Sequence, residues 1–207
     1  MRSILLALVL ILASLIAVAQ STNKTVAQLD QECAAEKTFT QKHPRAALLF
    51  SAIPQNENPA RDHWQRVTSR NDFKSAVKNG NSTASVWIRN GAVAFVDAIF
   101  QNQFGDSKQS VEYCFRPDGT LAQLHSDLKS FHGGLRVVRE IVFDDAGKPI
   151  VKTTQSFDLE SGKPKKIPPD FWDFPPPIFL HVSDLPFAIR INARFLSVPR
   201  CLYGWLS

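Results

Sequence analysis

The stretch VEYCFRPDGTLAQL contains the first residues whose types could do chemistry, Cys114, Arg116 and Asp118. A cysteine becomes a nucleophile when a nearby cation lowers its pKa and a base accepts its proton. Arg116 lies two residues from Cys114, on the same face of a strand, but spacing places no histidine beside them. Asp118 follows a proline and precedes a glycine, the order that a tight turn requires. We therefore predict a turn at Asp118, a disulfide or inert thiol at Cys114, and no catalytic residue.

Three cysteines stand at positions 33, 114 and 201. Outside the cytoplasm one disulfide is expected, and three cysteines allow three pairings, each with one thiol left over. The sequence does not choose among Cys33, Cys114 and Cys201. The chain has no CxxC pair, and such wide spacing excludes a compact zinc motif. We predict neither a metal site nor a cofactor.

The histidines give no pattern that specifies a catalytic site. His125 shares a strand face with Asp127, whereas His125 and His132 share a face only on a helix. The sequence contains no GxSxG, HExxH, phosphate-binding loop or GxGxxG motif. A hydrolase-like site that forms only in three dimensions, around His125, His132 or Cys114, is kept as an alternative.

The segment PPDFWDFPPP has the composition of a binding segment. Its aromatic residues, Phe171, Trp172 and Phe174, alternate with acidic residues and could stack on a sugar or on the apolar face of a peptide. The alternative is a proline-rich strap whose aromatic side chains close the hydrophobic core. We predict these three residues as ligand-binding candidates.

The first residues are typical of a secretory signal peptide. Arg2 precedes an apolar run that ends in Ala17-Val18-Ala19, which fits the cleavage rule for such peptides. The run is shorter than the roughly 20 residues of a spanning helix. We predict cleavage after Ala19, an extracytoplasmic location (periplasm or secreted), and no transmembrane span in residues 20–207. Retention of the segment as an anchor is the alternative.

The formal net charge of +5 is spread along the chain. A nucleic-acid-binding protein normally carries a denser basic stripe. We therefore predict no nucleic-acid partner.

The N-terminal segment, residues 20–83, is predicted to be helical. In residues 25–42, Val26, Leu29 and Cys33 fall on one helical face. Pro44 is placed to begin a second short helix, PRAALLFSA. Residues 59–78 show apolar spacings of three and four, which indicate one or two further short helices.

Residues 84–162 are predicted to form an antiparallel meander. Glycines stand at 91, 105, 119, 133 and 147, each 14 residues after the last, and at 162. Turn-forming residues surround them, and runs rich in Val, Ile, Phe and Thr lie between, which is the pattern of strands joined by tight turns. Residues 120–131 are ambiguous, because Leu121, Leu124, Leu128 and Phe131 also have helical spacing.

These patterns together predict one α+β domain over residues 20–207. N-terminal helices pack on an up-and-down antiparallel meander of about six strands, and a proline- and aromatic-rich strap with a tail, residues 163–207, closes the fold. In architecture alone, residues 84–160 are similar to the curved-sheet-plus-helix proteins that hold lipids or lipoproteins in the bacterial envelope. We expect a non-catalytic protein that binds a lipid-like or peptide ligand or an envelope partner. A surface interaction protein without a ligand pocket is the remaining alternative.

Overall fold

The computed structural model describes residues 25–55, 61–169 and 175–191. Its centre is one antiparallel sheet of eight strands in the order β2-β1-β3-β4-β5-β6-β7-β8. The strands are β1 (Leu48–Ala52), β2 (Gln65–Val67), β3 (Ser82–Arg89), β4 (Ala92–Gln101), β5 (Ser107–Phe115), β6 (Leu121–Ser130), β7 (Leu135–Phe143) and β8 (Pro149–Asp158). Two α-helices accompany it, α1 (Val26–Lys42) and α2 (Arg70–Lys78). The α+β class and the antiparallel sheet are as predicted.

Strands β3 to β8 are the predicted six-stranded meander, and each pairs with the next along the chain. The repeated glycines lie in the turns. At the β3–β4 turn Asn90 and Gly91 both have positive φ, as a two-residue hairpin loop requires. At the β6–β7 turn the positive φ belongs to Gly134 rather than to Gly133.

The strand count of about six was too low, because two segments predicted as helical contain strands. The helix at Pro44 is a single 3-10 turn, Pro44–Ala46, and β1 follows at once. β1 pairs with both β2 and β3, which satisfies its backbone and buries Phe50 completely. Residues 65–67 form β2, and only the segment that follows is a helix, α2, begun by the Ser69 side chain as N-cap.

Residues 121–130 are a strand, β6, which resolves the ambiguity between strand and helix. This strand lies between β5 and β7 and pairs with both along most of its length. Leu124 and Leu128 point to one face in the strand, and Leu121 joins them because of a bulge opposite Cys114 and Phe115. Strand pairing on both sides thus prevails over the helical spacing of the leucines.

The two faces of the sheet are covered by different parts of the chain. We call the face beneath α1 the helical face; its cluster contains Leu29, Cys33, Trp87, Phe95, Cys114, Ala122 and Val142. We call the opposite side the core face; it carries the largest apolar cluster, which the C-terminal segment 175–191 completes. Phe187 from that segment stacks on Phe50 with ring centroids 4.7 Å apart.

The first part of the predicted strap runs beside the edge strand β8. Lys165 N donates to Ser156 O, and Asp158 N donates to Lys163 O, so residues 163–165 extend the sheet for a short distance. The chain then turns, and Ile167 packs against Leu128, Leu135 and Val137 on the core face.

The described part of the C-terminal segment contains two 3-10 turns, Val182–Asp184 and Ala188–Arg190. Neither described helix has the length and apolar composition needed to cross a membrane.

Candidate functional site

Helix α1 lies across the helical face and leaves a cleft along each of its sides. We call the cleft towards the β3–β4 and β5–β6 turns the apolar cleft; its volume is about 420 Å³. We call the cleft on the other side the acidic cleft; its volume is about 250 Å³. The disulfide that joins Cys33 to Cys114 forms part of the wall of both.

The disulfide fixes α1 to the centre of the sheet. Cys33 lies on the buried side of α1 and Cys114 on β5, and both sulfurs are enclosed by the helical-face cluster. This geometry selects one of the three pairings that the sequence left open. Cys201 lies outside the described residues. Because Cys114 is oxidised, its thiol is not available as a nucleophile.

Polar side chains of α1 add three further contacts to the sheet. Lys37 Nζ lies 2.7 Å from Glu112 Oε2, and Arg89 Nη1 lies 2.6 Å from Glu36 Oε1. Gln123 Nε2 donates to Asp30 Oδ1 at 3.1 Å. Because few apolar residues of α1 are buried, we infer that these contacts and the disulfide set where the helix lies.

The apolar cleft lies where the sheet is bulged. Bulges place one extra residue on β4 and one on β6, Ala94 and Ala122, opposite β3 and β5. Both alanines line the cleft, together with Ala35 of α1. Small side chains at these three positions keep the space open, since any larger side chain there would fill it.

Charged groups surround the apolar cleft. Glu36 uses one carboxylate oxygen to bind Arg89, whose guanidinium also stacks on Phe39 at 5.5 Å. The other oxygen, Oε2, is buried and has no hydrogen-bond partner among the described residues. The cleft therefore combines an apolar wall with charged side chains at its border.

Arg116 also lines the apolar cleft, but its charge is engaged elsewhere. Its side chain is only 8% exposed. Nη1 donates to Leu121 O at 2.6 Å and Nη2 to Phe143 O at 2.5 Å, while Nε lies 3.1 Å from Asp145 Oδ1 at an angle that does not make a hydrogen bond. The residue joins the β5–β6 turn to the β7–β8 turn. It does not serve as the cation for a Cys114 thiolate that the sequence suggested.

The acidic cleft gathers polar groups from three neighbouring strands. Glu112, His125 and Glu140 are consecutive cross-strand partners on β5, β6 and β7. His125 Nδ1 lies 3.4 Å from Glu140 Oε1, and both side chains are substantially exposed. The lining of the cleft includes three carboxylates, Asp30, Glu112 and Glu140, and one permanently charged cation, Lys37.

Asp97 on β4 is the cross-strand partner of Glu112 and extends this polar row. Although part of its side chain is exposed, the pKa of Asp97 is raised to about 6, mainly because the carboxylate is buried. The adjacent Glu112 carboxylate contributes to this rise, and Lys37 acts in the opposite direction. Sequence inspection missed Asp97, because only strand register places it beside Glu112.

The other residues that the sequence singled out lie apart from these clefts. His132 is exposed in the β6–β7 turn, so the structure does not bring it to His125 or Cys114. Asp118 accepts hydrogen bonds from the backbone and hydroxyl of Thr120, as its predicted turn role requires. Burial raises the pKa of Asp118, but the hydrogen bonds from Thr120 outweigh it and the net shift is downward.

Two further sequence predictions concern the aromatic ligand-binding candidates and metal binding. The ligand-binding candidates Phe171, Trp172 and Phe174 lie outside the described residues. Within the described ranges, no three His, Cys, Asp or Glu side chains are arranged to hold a metal ion.

Comparison of the chain with known protein families, with characterised proteins and with solved structures finds no match in any of the three. The clefts are therefore interpreted from their own chemistry.

Proposed function

We propose that the chain is an extracytoplasmic, non-catalytic binding protein that holds a small amphipathic ligand in the apolar cleft. The observation that carries this proposal is the cleft itself, which alanines from two bulged strands and from α1 keep open. Its volume of about 420 Å³ is within the range of small-molecule sites.

The lining of the cleft defines the class of ligand. An acyl chain or an apolar peptide side chain would pack on Ala35, Ala94 and Ala122. A polar head group on the same ligand would lie beside the charged side chains of Glu36 and Arg89, which also line the cleft. A lipid-like molecule and a short peptide share this chemistry, and the experiment below distinguishes them by mass.

Two features support the extracytoplasmic location. Residues 2–19 have the composition of a signal peptide. The Cys33–Cys114 disulfide is buried, and stable disulfides are typical of oxidising compartments.

A matched pair of substitutions on α1 tests the site. Ala35 lines the apolar cleft and Ala34 the acidic cleft, and both side chains are exposed on the same helix. Native mass spectrometry of the secreted protein should detect a bound amphipathic molecule. Ala35→Trp should abolish its retention, and Ala34→Trp should preserve it. Equal retention by the two variants, or a bare protein that also fails to bind dansyl undecanoic acid, would contradict the proposal.

The alternative function, a hydrolase-like enzyme, is favoured by one observation in the acidic cleft. His125 and Glu140 lie within reach of each other, and Asp97 with its raised pKa is on the same face. If this cleft were catalytic, hydrolysis of chromogenic esters would fall at least about tenfold in His125→Gln. Activity that is the same in His125→Gln and in the unchanged protein would exclude the acidic cleft as its source.

A further inference from the structure

The edge strand β8 has backbone hydrogen-bonding groups for which the described residues supply no partner. Asp158 N and Ser156 O bond to residues 163–165, so the groups of these two residues point away from β7. The β7–β8 register is regular from Val151 to Asp158. Alternation along the strand therefore points the N–H and C=O groups of Lys152 and Thr154 outwards as well. Both residues are exposed, and residues 163–165 end before they reach them.

Lysines dominate the charge around this edge. Lys148, Lys152, Lys163 and Lys166 are all exposed and form no ion pair within the described part of the chain. The neighbouring acids are mostly engaged: Asp145 pairs with Arg116, and Asp158 pairs with Lys165 at 3.1 Å. Asp144 accepts backbone hydrogen bonds from Ala146 and Lys148, and neither it nor the exposed Glu160 forms an ion pair with a described residue. The free edge thus presents an excess of positive charge.

The lysines disfavour pairing with a second copy of the chain and favour pairing with an acidic strand. A second copy of the chain, paired edge to edge, would place its Lys152 on the same face as the first Lys152 and within about two residues of it, which is repulsive. A strand with acidic side chains would form the same backbone hydrogen bonds with an attractive charge pattern.

We propose that β8 is a docking edge for an extended acidic peptide segment of a partner protein, which adds to the sheet beside Lys152 and Thr154. The chain already pairs with this edge in the same way, since its own residues 163–165 occupy the stretch opposite Ser156 and Asp158. The docking edge is separate from the apolar cleft, so the proposal does not depend on the proposed function.

The test uses a fluorescein-labelled peptide of alternating Val and Glu, and the same peptide with Lys in place of Glu, in fluorescence anisotropy. The full processed protein should bind the acidic peptide and not the basic one. Bound peptide should also slow amide hydrogen exchange at residues 152–154.

Three variants test whether the acidic peptide binds at the edge of β8. Thr154→Pro removes an outward N–H, which an edge strand tolerates, and should abolish binding. Lys152→Glu should weaken binding by about tenfold. Lys129→Glu, an equally exposed lysine on β6, should change it less than about twofold. Circular dichroism would establish that each variant is folded.

Several results would overturn the proposal. They are equal binding of both peptides, undiminished binding by folded Thr154→Pro, or a concentration-dependent dimer that Thr154→Pro abolishes. Sedimentation of the protein with phosphatidylglycerol vesicles, in the absence of peptide binding, would assign the lysines to a membrane surface instead.

Discussion

Arg116 has a buried guanidinium group that donates hydrogen bonds to backbone carbonyls. Two of its nitrogens donate to Leu121 O at the start of β6 and to Phe143 O at the end of β7. Removing a buried hydrogen-bonded charge leaves these acceptors without donors. The residue therefore acts as a structural connection between two turns.

We expect Arg116→Gln to lower the free energy of unfolding by about 3 kcal/mol. Arg136→Gln is the matched control, because Arg136 makes a two-point ion pair with Asp127 on the exposed surface, and it should lose less than about 1 kcal/mol. Urea unfolding of both variants measures the difference. Equal losses of unfolding free energy in the two variants would show that burial adds nothing to the contribution of Arg116 to stability.

Asp97 gives the protein a specific pH dependence. Its pKa is raised to about 6, so the native state holds this proton more tightly than the unfolded chain does. The stabilisation from that proton is complete below pH 4 and is lost as the pH rises through about 6. Asp97→Asn should therefore raise the Tm by a few degrees at pH 7.

The comparison should be made at two pH values. At pH 4 the Tm of Asp97→Asn should match that of the unchanged protein, because Asp97 is then protonated in the native state. A Tm increase of the same size at both pH values would contradict this explanation and indicate an effect of the amide itself.

Among the secondary-structure elements, helix α1 depends on its disulfide to β5 to stay in place on the sheet. Its fully buried residues are Leu29, Cys33 and Thr40, and Val26 and Phe39 add only partly buried contacts, so apolar packing alone holds it weakly. The disulfide closes a loop with a sequence separation of 81 residues, which restricts the unfolded chain considerably.

We expect the double substitution Cys33→Ala and Cys114→Ala to cost about 4 kcal/mol of stability. Hydrogen exchange in α1 should increase more than in β5 and β6, since the helix loses its attachment while the sheet keeps its pairing. Exchange measured by mass spectrometry tests this. An equal increase across the whole chain would show that the helix and sheet unfold as one unit.

Some secondary-structure elements could be predicted from sequence patterns, and others could not. The glycine spacing identified β3 to β8, because tight turns impose local requirements that individual residues must meet. The helical spacing in β6 and the apolar run at β1 were misleading. In both segments the strand neighbours on each side decide the conformation, and these neighbours lie outside the segment whose spacing was considered.

For the whole molecule, the C-terminal segment is part of the core. Phe187 is 1% exposed and packs between Phe50 and Trp64, with ring centroids 4.7 and 5.1 Å away. Its neighbour Ile189 is 96% exposed. The two residues belong to the same short stretch and differ completely in environment.

Phe187→Ala should reduce the free energy of unfolding by about 3 to 5 kcal/mol, because it leaves a cavity between aromatic rings. Ile189→Ala should change it by less than about 0.5 kcal/mol. Denaturant unfolding of the two variants provides the measurement. A small effect of Phe187→Ala would mean that the segment rests on the sheet without stabilising it.

Processing of the whole chain is the remaining prediction. Expression with export should give a mature protein that begins at Gln20, because the signal peptidase recognises the small residues at Ala17 and Ala19. Ala17→Arg should block this cleavage, whereas Ser14→Ala should not. N-terminal sequencing and the intact mass report the result, and a secreted protein that retains residues 1–19 would exclude cleavage.

The sequence by itself determined the features that depend on short-range chemistry. These are the turns of the meander, the buried face shared by Val111, Tyr113 and Phe115, and the helix α1, whose Thr25 and Gln28 form a capping box. Each follows from residues within a few positions of one another, so local preference is sufficient.

Only the tertiary structure decided the pairing of Cys33 with Cys114, the place of Asp97 beside Glu112, and the cleft between Ala35, Ala94 and Ala122. These depend on strand register, on bulges and on where one helix lies. Such features are set by contacts between residues far apart in the chain, and no local pattern encodes them.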